Sequence, residues 1–455
     1  MGGSQQYDQL PTPTAPGAPE ASTRIPAWAD KQGNFWMFGA GADSTGMPGE
    51  INAMWNTSPA SDATKVVWNI AGGSITFDKT ACFYNGYFAS PGVWGTEGQP
   101  AATNIPSGRS EAARTMDAQG NLWLFGGNGC DAAGNTLWLN DLWEFNTATK
   151  QWAWVAGGSI ATPVNIATDF GGGNTGVYGT KGTSAPGNTP GGRQFSVMWT
   201  DAEGNLWLFG GYGCDSTDWC LGDLNDLWKF DTTMKQWTWI AGSSTNVTPA
   251  GSVNGVYGTL GVASPSNTPG GRNTGVGWTD AAGKLWLYGG SGYDSTGNLN
   301  TLIDLWRFDP STAEWTWMGG SDVANVSAPA VYGAKGTAAA TNSPGSRVSE
   351  AHCADASGSL WIFGGIGHQG ELNDLWKFDP TTMQWTWEAG GQTADLNGST
   401  GSYGTEGVAS ASNVPMARDS SACWFDPTGN FWLFGGGGEQ INTVHNDLWK
   451  YQVVN

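Results

Sequence analysis

The chain has 455 residues, of which 71 are glycine and 28 tryptophan, while only 13% are charged and the formal net charge is −20. That charge excludes a nucleic-acid footprint, which needs Lys and Arg to displace counterions, and disfavours an anionic membrane surface. No run approaches the ~18 apolar residues of a membrane-spanning helix, and the opening MGGSQQYD lacks the basic and apolar regions of a signal peptide, so neither is expected in this chain.

After an N-terminal segment, residues 1–23, a pattern sets in that recurs six times at a spacing of ~79 residues. Its first signature is an aromatic string: NFWMFGA (34–40), NLWLFGG (121–127), NLWLFGG (205–211), KLWLYGG (284–290), SLWIFGG (359–365) and NFWLFGG (430–436), each preceded by Asp-x-x-Gly. A second follows as NDLWEF (140–145), NDLWKF (225–230), IDLWRF (303–308), NDLWKF (373–378) and NDLWKY (446–451), with INAMW (51–55) a worn first copy. The third is QWAWVAGG and its relatives, starting at Gln151, Gln236, Glu314 and Gln384, with VVWNIAGG (66–73) in the first repeat.

Each signature alternates apolar residues over five to seven positions between Gly, Asp and Pro punctuation, which predicts a strand. A further strand precedes Asp-x-x-Gly, as in RQFSVMWTD (193–201) and RNTGVGWTD (272–280). Both faces of these strands are apolar, as in a sheet buried between two neighbours. Four antiparallel strands per repeat and six repeats predict an all-β, six-bladed β-propeller over 24–455, with blades near 24–73, 109–158, 193–243, 272–320, 347–391 and 418–455. Of the 28 tryptophans, 21 fall in the second, third and fourth strands, so they read as fillers between twisted sheets rather than as a ligand platform. The last repeat has no outer strand of its own. Gln6-Tyr7 stands as Gln-Trp does elsewhere, so residues about 4–11 are expected to complete the last blade.

The strand ending in Gly-Gly, the downstream Asn-Asp-Leu-Trp-x-Phe, the Trp and the later Pro-x-x-Arg resemble the kelch repeat. Across essentially the whole chain the sequence resembles bacterial kelch propellers of the galactose-oxidase-like kind, with longer connections than compact kelch units. The copper chemistry of galactose oxidase needs Tyr and His ligands and a Cys–Tyr cross-link. With three histidines and no such set at matching repeat positions, that chemistry is not expected. The sialic-acid mutarotases use arginines with an acid or histidine, and this likeness nominates Glu111, Glu350 and His352.

Strand direction places the short turns on one face and, on the other, where binding usually resides, the long connections between repeats, 74–108, 159–192, 243–271, 321–346 and 392–417, and those between the second and third strands, as in GYGCDSTDWCLGDL (211–224). The long loops between repeats share Trp94, Tyr178, Tyr257, Tyr332 or Tyr403 followed by Gly, then Asn-x-Pro and an arginine: Arg109, Arg193, Arg272, Arg347 and Arg418. The arginines read either as a cation ring for a carboxylate or sulfate, or as partners of a nearby acid. Departures from the repeat mark better candidates: Glu111 and Arg114; Glu350, His352 and Cys353; His368; and His445. Glu350 and His352, two apart in a strand, are expected on one face, as a buried structural pair or as an acid–base pair. Cys214 and Cys220 lie six apart, close enough for a small disulfide loop that would present Asp218 and Trp219 as a finger. Tyr212 and Tyr293 stand on the same class of connection. Cys130 has no close partner, and no Cys/His spacing suggests zinc. The loops at 43–46, 131–134, 215–218 and 294–297 offer too few oxygens for calcium alone and read as Asx turns, so no cofactor is expected.

The resulting expectation is a non-catalytic recognition module outside the cytoplasm (secreted, periplasmic or at the cell surface) that binds glycan or protein through its long loops. The alternatives are a mutarotase-like epimerase and a self-assembling subunit of a surface structure.

Overall fold

Every aromatic string of the repeat folds as a strand, and the reason is local. In Leu206–Phe209 all four side chains are buried, Leu and Trp alternating between the two faces. The computed structural model describes residues 6–10, 19, 25–30, 32–39, 49–59, 66–76, 82–84, 87–161, 172–217, 220–245, 253–325, 327–392, 401–438 and 443–453. Among them the protein is all-β, without a helix. Each repeat gives a four-stranded antiparallel path of the kind found in propeller blades. In the third repeat the order is Val197–Thr200, Leu206–Phe209, Leu227–Asp231 and Gln236–Ala241.

The chain divides into two compact units, each with three such sheets. One comprises Asp43–Ala53 and Gly72–Ala324 and holds the second, third and fourth repeats. Within it Trp123, Phe125 and Leu142 of the second repeat cluster with Leu208, Trp228 and Phe230 of the third. Val197, Trp207 and Phe209 cluster with Leu285, Trp306 and Phe308 of the fourth. The other unit comprises Met1–Ala42, Met54–Ala71 and Asn325–Asn455 and holds the first, fifth and sixth repeats. There Trp361 and Phe363 cluster with Leu433 and Trp449, and Phe35 stacks on Trp424 at 4.0 Å. The outer strand of the sixth sheet is Tyr7–Leu10, antiparallel to Leu448–Tyr451 with Tyr7 opposite Tyr451.

Two aspartates in each full repeat organise the tryptophans. The first closes the Asp-x-x-Gly turn. Asp201 Oδ1 accepts from the Asn205 N–H at 2.8 Å, while Oδ2 accepts from the Trp207 indole at 2.8 Å. The same indole bond runs from Trp36, Trp123, Trp286, Trp361 and Trp432 to Asp30, Asp117, Asp280, Asp355 and Asp426. The turn thus fixes both its own backbone and the first large side chain of the next strand.

The second is the aspartate of Asp-Leu-Trp. Asp226 is fully buried and accepts the indole N–H of Trp228 at 2.7 Å, the Tyr178 hydroxyl at 2.5 Å, and Arg193 Nη1 and Nη2 at 2.7 and 2.8 Å. Arg193 also donates to the carbonyls of Gly191 and Gly210. This explains the Gly-Gly that ends five of the six aromatic strings. Gly210 (φ +61°) and Gly211 (φ +95°) bend the strand so that the Gly210 carbonyl meets the guanidinium. A Cβ on Gly211 would lie 2.1 Å from Ser196 Oγ. Burying an ion pair is costly unless its remaining hydrogen bonds are made, and here they are.

The long loops are tied down by the same repeat. Gly182 donates to the Trp239 carbonyl at 2.8 Å, and Asn188 Nδ2 donates to the Trp237 carbonyl at 3.2 Å, laying the loop over the outer strand of its sheet. Asn104, Asn267 and Asn342 do the same to Trp152, Trp315 and Trp385, and Asn413 to Tyr7. Outer sheet edges, which invite mispairing, are thereby covered.

The first repeat tests this logic, because Ala53 stands where the other repeats carry the aspartate. The Trp55 indole nitrogen is buried without a hydrogen-bond partner among the described residues. Trp228→Phe removes a made bond and leaves Asp226 short of a donor, whereas Trp55→Phe removes only an orphan N–H. Equilibrium denaturation is expected to find Trp228→Phe the more destabilising by about 1–3 kcal/mol. Equal losses would contradict the assignment.

Candidate functional site

The five loop arginines do not form an exposed cation ring. Their side chains are at most 1% exposed, and each pairs with the aspartate of its own repeat: Arg109 with Asp141, Arg193 with Asp226, Arg272 with Asp304, Arg347 with Asp374 and Arg418 with Asp447, at 2.5–2.7 Å. The acid-partner reading is the one that describes them. The loop aromatics belong to the same anchors. Tyr178, Tyr257, Tyr332 and Tyr403 donate to those aspartates, and in the second repeat Trp94 does so through its indole at 3.2 Å. Burial, reinforced by the aspartate charge, raises the Tyr257 and Tyr332 hydroxyls far above their ordinary range and Tyr403 to about 12. Burial would raise Asp447, but the Arg418 charge outweighs it and holds the carboxylate well below its usual range.

The Asx-turn loops likewise spend their oxygens on the protein. Asp131 Oδ1 accepts from the N–H groups of Ala133 and Asn135, and its Oδ2 from Ala161. Asp294 bonds Thr296, Asn298 and Ala324 in the same way. Residues 43–46 lie outside the described residues. So do Asp218 and Trp219, although the Cys214–Cys220 disulfide that brackets them is formed. Two further disulfides, Cys82–Cys130 and Cys353–Cys423, join residues 48 and 70 apart. Three disulfides fit an oxidising compartment, and no helix among the described residues is long and apolar enough to cross a membrane.

Glu350 and His352 do not share a strand face. Ser349 adopts φ +61°, so the chain kinks between Arg347–Val348 and Ala351–Ala354, and the expected alternation breaks at Glu350. His352 Nδ1 lies 3.5 Å from the Glu350 carbonyl oxygen, not from its carboxylate. Glu350 is 6% exposed, and neither carboxylate oxygen has a hydrogen-bond partner among the described residues. At the matching position Ser196 and Ser421 donate to the Gly210 and Gly435 carbonyls at 2.8 and 3.0 Å. Burial pushes the Glu350 carboxyl up to about 7. Glu111, in the other unit, occupies the same kink at φ +59°, and its carbonyl accepts from Phe195 at 2.9 Å. Burial lowers Arg114 to about 10. His445 stands where other repeats carry Leu139, Leu224, Leu302 and Leu372; its Nε2 has no partner among the described residues, and burial lowers its pKa.

Among the described residues two loop sites remain once the repeated residues are accounted for. The first, in the unit that holds the fifth repeat, is a half-open cleft of about 170 Å³ beside His368. It exists because the connection between the second and third strands is short. Ile366–Gly367 and Gly370–Glu371 form a two-rung hairpin, where the second and fourth repeats build long strands such as Thr136–Asn146 and Leu299–Asp309. His368 and Gln369 are exposed at its tip, and His368 Nε2 lies 3.5 Å from Ser327 Oγ. Arg347 and Tyr332 line the cleft but face Asp374 with their polar ends.

The second site, in the other unit, gathers Tyr212 and Tyr293 around Asp223. Asp223 is 4% exposed, accepts from Asn273 Nδ2 at 2.7 Å, and is pushed up to about 6 by burial. Its charge in turn raises both tyrosines, which burial has already shifted upward. Tyr212 packs edge-on against Trp138 at 5.4 Å beside the Cys214–Cys220 disulfide. Sequence reasoning missed Asp223, Ser327 and Gln369. An acid before Leu-Asn-Asp stands at Asp223 and Glu371, and that departure from the other repeats was the available signal. No family model and no curated protein matches this sequence.

The Glu350 environment has a pH signature. A buried acid with a raised folded-state pKa disfavours the folded state once it ionises, so stability falls as pH rises from about 4 through about 7 and then levels. Glu350→Gln is expected to flatten that dependence. In denaturation it should match the wild type near pH 4 and exceed it by up to ~3 kcal/mol at pH 8. A variant less stable than wild type at pH 8 would contradict the burial of an unpartnered carboxyl.

Proposed function

We propose that the chain is a six-bladed, kelch-type β-propeller acting outside the cytoplasm as a recognition module, and that its long loops bind a glycan or protein ligand. One observation carries this reading: the arginines and tyrosines that repeat in the loops are committed inside the fold. Each loop arginine and most of the loop tyrosines are committed to a buried aspartate. Among the described residues, what is left to meet a ligand is the set that breaks the repeat, namely the exposed His368, Gln369 and Ser327, and the half-buried Tyr212 beside Asp223. Aromatic and neutral polar groups on rigidly tethered loops suit recognition. The three disulfides support a place outside the reducing cytoplasm.

The assembly reading has less support, because Tyr7–Leu10 already occupies the outer edge of the sixth sheet and Ser410 bridges Tyr7 from the loop above. For the epimerase reading, the nominated acid Glu350 is 6% exposed, and its burial keeps it from a substrate.

A glycan array and a ligand-capture assay on the purified chain test the proposal. Binding is expected to weaken at least tenfold in His368→Ala or Tyr212→Ala, and to survive Met234→Ala, an exposed residue of a short turn. Turnover of free sugar anomers by NMR exchange, or binding indifferent to both loop variants, would count against it.

A further inference from the structure

The cleft beside His368 differs chemically from its surroundings. In a chain with a net charge of −20, no Asp or Glu among the described residues lines it. Its cation, Arg347, gives its Nη donors to Asp374 and to the Gly364 and Pro344 carbonyls, so it holds no free positive charge for an anion. The cleft therefore selects neither a cation nor an acid.

The polar groups at its mouth are the hydroxyl of Ser327, the imidazole of His368 and the amide of Gln369, each able both to donate and to accept. Pro329, Pro344 and Leu372 supply apolar wall. A ligand complementary to both presents hydroxyls that donate and accept along one edge and C–H surface on another, without charge. At about 170 Å³ the space falls below the ~300–1,000 Å³ of pockets that enclose drug-sized molecules. It accommodates one ring rather than an extended peptide.

The geometry points to this cleft as a subsite for a single neutral pyranose residue of a glycan, held by Ser327, His368 and Gln369 against the Pro329–Pro344–Leu372 wall. This inference rests on the recognition reading and names its ligand class. One small ring with three to four neutral hydrogen bonds gives weak affinity, with a Kd on the order of millimolar, so tight binding by a whole glycan needs contacts beyond this cleft.

The test is saturation-transfer NMR and titration of the full chain with D-glucose, D-galactose and N-acetyl-D-glucosamine, and with D-glucuronate as the charged counterpart. At least one neutral sugar is expected to bind, no more weakly than glucuronate. The His368→Ala/Gln369→Ala double variant is expected to lose at least tenfold in affinity. Ala330→Trp, which fills the space from its rim, should abolish binding, with unchanged denaturation midpoints showing that both variants fold. Neutral-sugar binding that survives both variants, that is lost only in Tyr212→Ala, or that gives way to tighter glucuronate binding overturns the inference. A chain that captures a protein ligand but no neutral sugar overturns it while leaving the recognition reading intact. Capture of neither defeats both.

Discussion

The fold depends on one buried interaction, repeated. An aspartate two residues before a core tryptophan receives that indole, a loop tyrosine or tryptophan, and both ends of an arginine. A carboxylate taken wholly out of water is tolerable only when such donors surround it and a positive charge faces it. The four partners come from the loop, from the start of the inner strand and from the third strand. One site therefore fixes strand, sheet edge and loop together. The glycine pairs, the Asn-to-carbonyl ties and the Asp-x-x-Gly turns are arranged around it.

This arrangement separates scaffold from function. A residue needed in every repeat for the anchor cannot also adapt to an asymmetric ligand, and the arginines, though charged and carried on loops, are unavailable. Specificity falls to positions where one repeat departs from the others. The short hairpin at Ile366–Glu371 opens a cleft, and the bridged loop before Asp223 draws two tyrosines onto a buried acid. The first repeat shows the converse. Having lost the aspartate at Ala53, it keeps the tryptophan but leaves its indole unanswered.

Much of the architecture could be read from the residues because tryptophan alternation is a local signal. Leu-Trp-Leu-Phe and Gln-Trp-Thr-Trp declare strands buried on both faces, and Asp-x-x-Gly declares the turn. Sequence could not show which acid meets which arginine, since Arg193 and Asp226 lie 33 residues apart in the chain and meet only through the folded sheet. The partner of Cys130 was hidden for the same reason, at Cys82. Glu350 and His352 were expected on one strand face because alternation presumes a straight strand, and the kink at Ser349 cannot be inferred from Ser. Asp223 carried only a faint signal, an acid before Leu-Asn-Asp in two repeats.

The buried aspartate anchor is tested most directly by a double-mutant cycle on Arg193 and Asp226, read by chemical denaturation. The account predicts that Arg193→Ala and Asp226→Ala each cost about 3–5 kcal/mol, and that the double variant costs little more than either alone, because each single change strands the other charge. Single losses below ~1 kcal/mol that simply add, as for an exposed pair, would contradict it.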